Sequence, residues 1–306
     1  MKTLNEQIEE VMNERGTKAA KREKLLKIGI TNNDIEQLFF VERQIAKRNR
    51  AEQGVERRRA IDNIISRYTF GVEIECYAVN RQDVINKAAA KGLTLQSENY
   101  NHRTRPHYKL VNDASIMGAN PVECVSPVLK GKRGLNSLKK CCEALNEVGA
   151  MVNKTTGLHI HVGGNITEQQ YVNTFSNYVF LEKLIDTFMA DSRKNNRFAK
   201  SLQPMGFGLY HSQNRHDIKR VLMGDRYYKV NCLSIERHGT IEFRQHQGTT
   251  DYEKISYWAK FCIKLVDWSK QNRLTAYVAS IDEIPFLSDS EKAYFKARAE
   301  HFANNR

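Results

Sequence analysis

The chain has 306 residues and an apolar content of 41%, enough for a sizeable core, so global disorder is excluded. It has no run of about 18 apolar residues, which argues against a membrane span. The N-terminal stretch MKTLNEQIEEVMNERG has no apolar signal-peptide segment, and the six cysteines form no CxxC pair, so a cytoplasmic protein with reduced thiols is expected. The net charge of +13 fits an anionic ligand, but it also fits solubility alone.

Residues 1–66 are predicted to form a helical N-terminal extension, because they contain no proline and show no two-residue alternation. Within it, KREKLLKIGITNNDIEQLFF predicts a helix that stops at Gly29, a cap at Thr31 and a second helix from about Asn32. This pattern resembles a helix-turn-helix unit, and the basic stretch RNRAEQGVERRRA follows it. Two interpretations stay open: a nucleic-acid-binding unit, or an appendage that packs, oligomerises or contacts a partner.

Residues 67–306 are predicted to form a second, larger domain of the α+β class. Strands are expected at 67–79, near 107–113, 121–126 and 157–163, and as a pair at 229–235 and 240–246. Helices are expected at 81–91, 134–148, 168–190, 250–270 and 288–302, with an irregular basic segment before residue 228. There are no regular βαβ units, and the last two strands have hairpin spacing. This arrangement favours a mostly antiparallel sheet backed by helices.

Four of the predicted strands carry ionisable side chains among apolar neighbours. Alternation along a strand places every second residue on the same face. The residues are Glu73 and Glu75 in GVEIEC, Glu123 in PVECVSP, His159 and His161 in TGLHIHVG, and Glu242, Arg244 and His246 in TIEFRQH. We therefore expect Glu242, Arg244 and His246 to share one face of the last strand.

Each of these motifs alone is typical of the wet face of a sheet. As a set, however, they use carboxylates and imidazoles where lysine, threonine and glutamine would normally stand, so we expect them to line one concave surface. Carboxylates this close repel one another unless cations lie between them. Oxygen-rich ligands predict Mg²⁺, with Mn²⁺ as the alternative because an imidazole is present. An arginine beside such metals indicates a phosphate ligand.

Six motifs, in this order, resemble the amidoligase branch of the glutamine synthetase/glutamate–cysteine ligase (carboxylate–amine ligase) superfamily. They are FGVEIE at 70–75, D-x-S at 113–115, E-x-V-S-P at 123–127, GLHIHV at 157–162, RYxxVN at 226–231 and TIEFRxHxGT at 240–249. The resemblance covers about residues 67–270. It implies a curved, mostly antiparallel half-barrel, and an ATP- and Mg²⁺-dependent ligase that forms an amide or isopeptide bond through an acyl phosphate.

The resemblance also implies roles for single residues. The implied metal ligands are Glu73, Glu75, Glu123, His159 and Glu242. The implied ATP contacts are His161, Arg226, Asn231 and Arg244, and the implied catalytic residues are Glu242 and Arg244. Asp113 is a further candidate carboxylate, while His246 has no assigned role.

The resemblance leaves the substrates open, since this branch, found in bacteria and phages, is thought to join carboxylates to peptides, proteins or small amines. Two other functions remain as alternatives. One is a nucleic-acid-binding protein that uses the helix-turn-helix-like segment and the basic body. The other is a phosphotransferase of the same superfamily. No Walker A or GxGxxG sequence occurs, so metals and basic side chains would have to hold any nucleotide phosphates.

Overall fold

The computed structural model describes residues 2–305, with only the backbone described for residue 5 and for residues 45–62. The chain divides into two compact units, residues 1–61 and 62–306. In the part of the chain that the structure describes, no helix is long and apolar enough to cross a bilayer.

The first unit is helical, as the sequence predicts. Its helices are α1 (Leu4–Asn13), α2 (Lys18–Lys27) and the start of α3 (Asn32–Arg67). The apolar side chains that form its small core are Val11, Leu25, Ile35 and Phe39. The turn between α2 and α3 contains Gly29 at a φ of +89°, which suits a glycine after a helix C-terminus. The side chains of the basic stretch RNRAEQGVERRRA lie outside the described set.

The second unit is built on one sheet. Its strands are β1 (Thr69–Cys76), β2 (Leu95–Ser97), β3 (Tyr108–Val111), β4 (Val122–Val125), β5 (Leu129–Lys130), β6 (Gly157–Gly163), β7 (Val230–Asn231) and β8 (Thr240–Gln247). The strand order is β2-β3-β4-β1-β6-β8-β7, and β5 pairs with the start of β1. Among the named strands of the described residues, only β2 and β3 pair in parallel. The predicted α+β class with a mostly antiparallel sheet is therefore confirmed, while the half-barrel stays a prediction.

Helices follow most of the strands of this unit. They are α4 (Arg81–Ala90), α5 (Gly131–Glu147), α6 (Glu168–Thr187), α7 (Gly206–His211), α8 (Arg215–Val221), α9 (Ser234–His238), α10 (Tyr252–Trp268) and α11 (Asp289–Asn304). The segment before residue 228 was expected to be irregular, and this is wrong, since α7 and α8 lie within it. The Asn214 side chain begins α8 by accepting a hydrogen bond from the Asp217 amide at 2.9 Å.

The predicted strand at 229–235 is also wrong in part. The strand β7 is only two residues long, and the short helix α9 separates it from β8. The Asn231 side chain accepts a hydrogen bond from the Leu233 amide at 2.8 Å, which stabilises the turn after β7. Gly239 then ends α9 at a φ of +67°. The two strands still pair antiparallel, but a helix rather than a tight turn joins them.

The last strand contains a bulge that no sequence pattern predicts. Ile160 pairs with Phe243, whereas Leu158 pairs with His246. Two steps along β6 thus match three steps along β8, and the extra residue interrupts the alternation of β8. Because paired residues point to the same side of a sheet, His246 lies on the side of Leu158.

This bulge overturns one expectation about the site. His246 does not share a face with Glu242 and Arg244. Its ring is 2% exposed and lies 5.8 Å, centroid to centroid, from the ring of Trp258 on α10. Its Nδ1 atom lies 2.7 Å from the carbonyl oxygen of Gln247, to which it can donate a hydrogen bond. His246 is therefore a core residue on the helix side of the sheet.

Candidate active site

Pairing between β1 and its neighbours brings carboxylates and an imidazole together. Glu73 lies opposite His159 of β6, and Glu75 lies opposite Glu123 of β4. Residues opposite each other in antiparallel strands point to the same face. The alternate residues of β1 face the helices and are fully buried: Val72, Ile74 and Cys76.

Pairing between β6 and β8 extends this face. His161 lies opposite Glu242. The Nδ1 atom of His161 lies 2.9 Å from the hydroxyl of Thr240, and the Ser234 hydroxyl lies 3.3 Å from the same nitrogen. These hydroxyls hold the imidazole ring so that its Nε2 atom faces the carboxylates.

The side chains form two adjacent groups that could each hold a metal ion. One group is Glu73, His159 and Glu242, and the other is Glu75, Glu123 and His159. Within each group the ligand atoms lie within 4.8 Å of one another. The Nδ1 atom of His159 lies 2.9 Å from Glu73, and its Nε2 atom lies 3.4 Å from Glu75. A neutral imidazole has one free lone pair, so His159 can ligate in only one of the two groups at a time.

The charges of these residues fit divalent cations. Among the described residues, no lysine or arginine forms an ion pair with Glu73, Glu75 or Glu123. Burial, and then repulsion by Glu73 and Glu75, raises the pKa of Glu123 well above its usual range. Bound Mg²⁺ or Mn²⁺ would relieve this repulsion, and carboxylate oxygens are the ligands that these ions prefer.

The two histidines stabilise the neighbouring Glu73. Burial opposes its ionisation, but His161 and His159 hold its pKa well below the usual range. Burial likewise opposes the charge on His161, while Glu73 and Glu242 raise its pKa. The Nε2 atom of His161 is buried and has no hydrogen-bond partner among the described residues, although it lies 3.3 Å from a Glu73 oxygen. A buried nitrogen that faces carboxylates and makes no hydrogen bond of its own fits a residue that contacts a bound ligand.

Glu242 is held by the residues around it. Arg244 donates a hydrogen bond to its Oε1 atom, and the Asn231 amide donates to its Oε2 atom at 2.5 Å. Burial opposes ionisation, but Arg244 and His161 hold the pKa of Glu242 at about 2. The side chain of Asn231, predicted as an ATP contact, thus lies against Glu242.

A cavity of about 590 Å³ lies over this face. Arg226, a predicted ATP contact, lines it, and its Nε atom is buried without a hydrogen bond in the described part of the chain. Asp113 also lines the cavity, but its Oδ1 atom accepts hydrogen bonds from the Ser115 amide and hydroxyl at 2.7 and 2.6 Å. Its carboxylate therefore shapes the D-x-S turn at the edge of the cavity.

The loop between β2 and β3 (residues 98–107) covers part of the cavity, and sequence reasoning missed it. The buried Lys109 ammonium stabilises this loop by donating hydrogen bonds to the carbonyl groups of Asn101 and Arg103, each at 2.9 Å. The loop residues that line the cavity include Tyr100, His102, Arg103 and Arg105. The short strand β2 and the irregular loop have no periodic pattern that could have indicated this position.

Arg193, in the basic segment before residue 228, is the second feature that sequence reasoning did not assign to the site. It lies in a 3₁₀ turn, Asp191–Arg193, and is 3% exposed. It lines the same cavity. Burial lowers its pKa to about 10, so the guanidinium stays charged at neutral pH. No motif surrounds Arg193 in the sequence, and only its three-dimensional position relates it to the site.

Comparison with known protein families gives a match over most of the second unit. The family model described as "Putative amidoligase enzyme" matches residues 66–266. That range contains both candidate metal groups and Arg244. No curated protein matches the chain.

Proposed function

The chain belongs to this amidoligase family, and from that premise we propose that it is an ATP- and Mg²⁺-dependent ligase that joins a carboxylate to an amine. The family description indicates an amide-bond-forming ligase. The use of ATP, the metal and an acyl phosphate are the further parts of the proposal, as is a place within the glutamine synthetase/glutamate–cysteine ligase superfamily.

One observation carries the proposal. Two groups of metal-ligating side chains share His159, and Arg244 lies directly beside one of them through its hydrogen bond to Glu242. Such an arrangement suits a triphosphate, because cations can contact phosphate oxygens while a guanidinium neutralises the charge that develops during phosphoryl transfer. If these strands only presented a polar face to solvent, the face that carries these carboxylates and imidazoles would not be buried.

The proposed reaction has two steps. In the first, a carboxylate oxygen of the substrate attacks the γ-phosphorus of ATP, and the bond to ADP breaks. In the second, the amine nitrogen attacks the acyl carbon, inorganic phosphate leaves with the electron pair of the C–O bond, and the nitrogen loses a proton to solvent. ATP, carboxylate and amine thus give amide, ADP and phosphate.

The side chains of this chain have distinct parts in that reaction. Bound Mg²⁺ would neutralise phosphate charge and polarise the γ-phosphoryl group. The residues that would hold it are Glu73, Glu75, Glu123, His159 and Glu242. Arg244 would contact the transferring phosphoryl group, while His161 and Arg226 would contact the other phosphates. The loop over the cavity would keep water away from the reactive acyl phosphate.

The test supplies ATP, Mg²⁺ and pooled carboxylates and amines. ADP and phosphate are followed, and condensation products are sought by mass spectrometry. The proposal expects equal amounts of ADP, phosphate and an amide product. A phosphorylated product without any amide would instead establish the phosphotransferase alternative. Absence of nucleotide turnover with every substrate pool would count against both.

A further inference from the structure

Arg193 contacts the site from outside all six sequence motifs. Its guanidinium is close to His159, since a Cβ atom placed on Gly157 would lie 3.0 Å from the Nη2 atom of Arg193 and 3.2 Å from the Nε2 atom of His159. A buried arginine among carboxylates would ordinarily form an ion pair with one of them. Here the hydrogen bonds of Arg193 go to the backbone of β8 instead.

Both hydrogen bonds go to backbone carbonyl groups at the bulge of β8. The Nη2 atom of Arg193 donates to the carbonyl of Arg244 at 2.5 Å, and its Nε atom donates to the carbonyl of Gln245 at 3.3 Å. A bulge disrupts the regular hydrogen bonds between strands, so its carbonyl groups need other donors. Arg193 supplies two such donors from one rigid, planar group.

The bulge is also held from the helix side. The Gln245 side chain accepts a hydrogen bond from the Tyr178 hydroxyl and donates one to Asp186 at 2.5 Å. The amide of Arg244 donates to the carbonyl of Lys229 at 2.8 Å. The backbone at residues 244–245 is thus restrained on both sides of the sheet.

This restraint decides which side chain enters the site. With the bulge at residues 244–245, Arg244 reaches Glu242 while His246 packs beside Trp258. A one-residue change in register would reverse the faces of the residues that follow it. The position of the Arg244 guanidinium therefore depends on where the bulge forms.

We propose that Arg193 is a positioning residue, which fixes the bulge of β8 and thereby places Arg244 in the site. The inference rests on the proposed function in one respect, namely that Arg244 contacts the transferring phosphoryl group. Lysine cannot replace Arg193 fully, because its single ammonium lacks the planar fork that reaches two adjacent carbonyl groups.

The first experiment is a double-mutant cycle of Arg193→Lys and Arg244→Ala. It measures kcat and KM for ATP turnover, and also Mg²⁺–ADP affinity by calorimetry. Arg193→Lys is expected to lower kcat at least tenfold with the KM for ATP changed less than threefold, because positioning acts mainly on the transition state. In the Arg244→Ala background, the same change is expected to cost less than a further factor of two.

The control is Arg220→Lys, an exposed arginine that pairs with Asp217, and it is expected to keep the wild-type kcat. Equal losses from Arg193→Lys with and without Arg244 would overturn the proposal, since Arg193 would then act independently. Unchanged kcat in the single variant would overturn it as well. If Arg193→Lys does not fold, Arg193→Gln, which can still reach one carbonyl, takes its place in the cycle.

A second experiment does not depend on ligase activity. Hydrogen–deuterium exchange is compared for the amides of residues 240–247 in the wild type and Arg193→Lys. Exchange there is expected to rise at least tenfold, while α5 keeps its wild-type rate as a sign of an intact fold. Unchanged exchange in β8 would refute the positioning role. If the wild type turns over no ATP, the proposed function fails, and this experiment still decides the role of Arg193.

Discussion

The strands β1 and β8 look alike in sequence but differ in structure. In β1, alternation holds along the whole strand, so Glu73 and Glu75 face the cavity and the residues between them face the helices. In β8, alternation holds only as far as the bulge, after which His246 lies on the helix side. A period of two predicts side-chain faces only where pairing with the neighbour is uninterrupted.

The largest predicted effect concerns Arg244, in the part of β8 that faces the cavity. Arg244→Ala should lower kcat about 10³-fold, because arginines that neutralise phosphoryl-transfer charge contribute on that scale. Turnover of ATP by coupled ADP detection measures it, and circular dichroism checks that the variant folds. Arg220→Ala is the matched control. Full activity of Arg244→Ala would remove Arg244 from the site.

The next effect concerns β1. Glu75→Gln should weaken Mn²⁺ binding at least about 100-fold, since residues that only orient a metal ligand already contribute 10–100-fold. Titration followed by electron paramagnetic resonance measures the affinity. Glu98→Gln is the control, because Glu98 begins the loop over the cavity, pairs with Arg105 at 3.0 Å and belongs to neither metal group. Equal Mn²⁺ affinity in the Glu75 variant and the wild type would argue against the second metal group.

A smaller effect concerns His246, in the part of β8 that faces the helices. Burial, and then the charges of Arg298 and Arg193, lowers the pKa of His246 to about 3. The unfolded chain, with an ordinary histidine pKa of about 6.5, therefore binds more protons than the folded chain between these two values. The free energy of unfolding should fall as the pH falls through this window, by about 1.4 kcal/mol per pH unit at most.

Urea unfolding at pH 7, 5.5 and 4.5 measures this dependence. As the pH falls, the free energy of unfolding of His246→Gln should decrease less steeply than that of the wild type, because glutamine does not titrate. The difference between the two slopes isolates His246 from other titrating groups. Parallel slopes would mean that His246 is solvated and faces the cavity after all.

The smallest effect lies where β8 begins. Gly239 has a φ of +67°, and a Cβ atom there would meet nothing within 4 Å. Gly239→Ala should therefore cost about 1 kcal/mol through backbone strain alone, as measured by urea unfolding. Gly239→Asn should cost less, since asparagine tolerates the left-handed region. Equal stability of Gly239→Ala and the wild type would show that the α9–β8 turn can adopt another conformation.

Much of the fold was accessible from the sequence because its signals are local. The strands around Glu73, Glu123 and His159 follow from alternating apolar residues, and α10 follows from helical spacing after Asp251. The change in composition near residue 67 predicts domains 1–66 and 67–306, and the structure has two compact units, 1–61 and 62–306. Among the elements that the sequence did not predict, α9 and the short strand β2 are too short for a period to be recognised.

Local sequence patterns were enough to locate the strands that carry the site, the faces of Glu73, Glu75, His159 and His161, and the resemblance to amidoligases. Three other features emerge only in the folded chain: His246 belongs to the core, Asn231 supports Glu242, and Arg193 reaches the site. Local spacing sets which way a side chain points along a regular strand. A bulge, or a contact between residues 193 and 244, depends instead on how distant segments pair and pack.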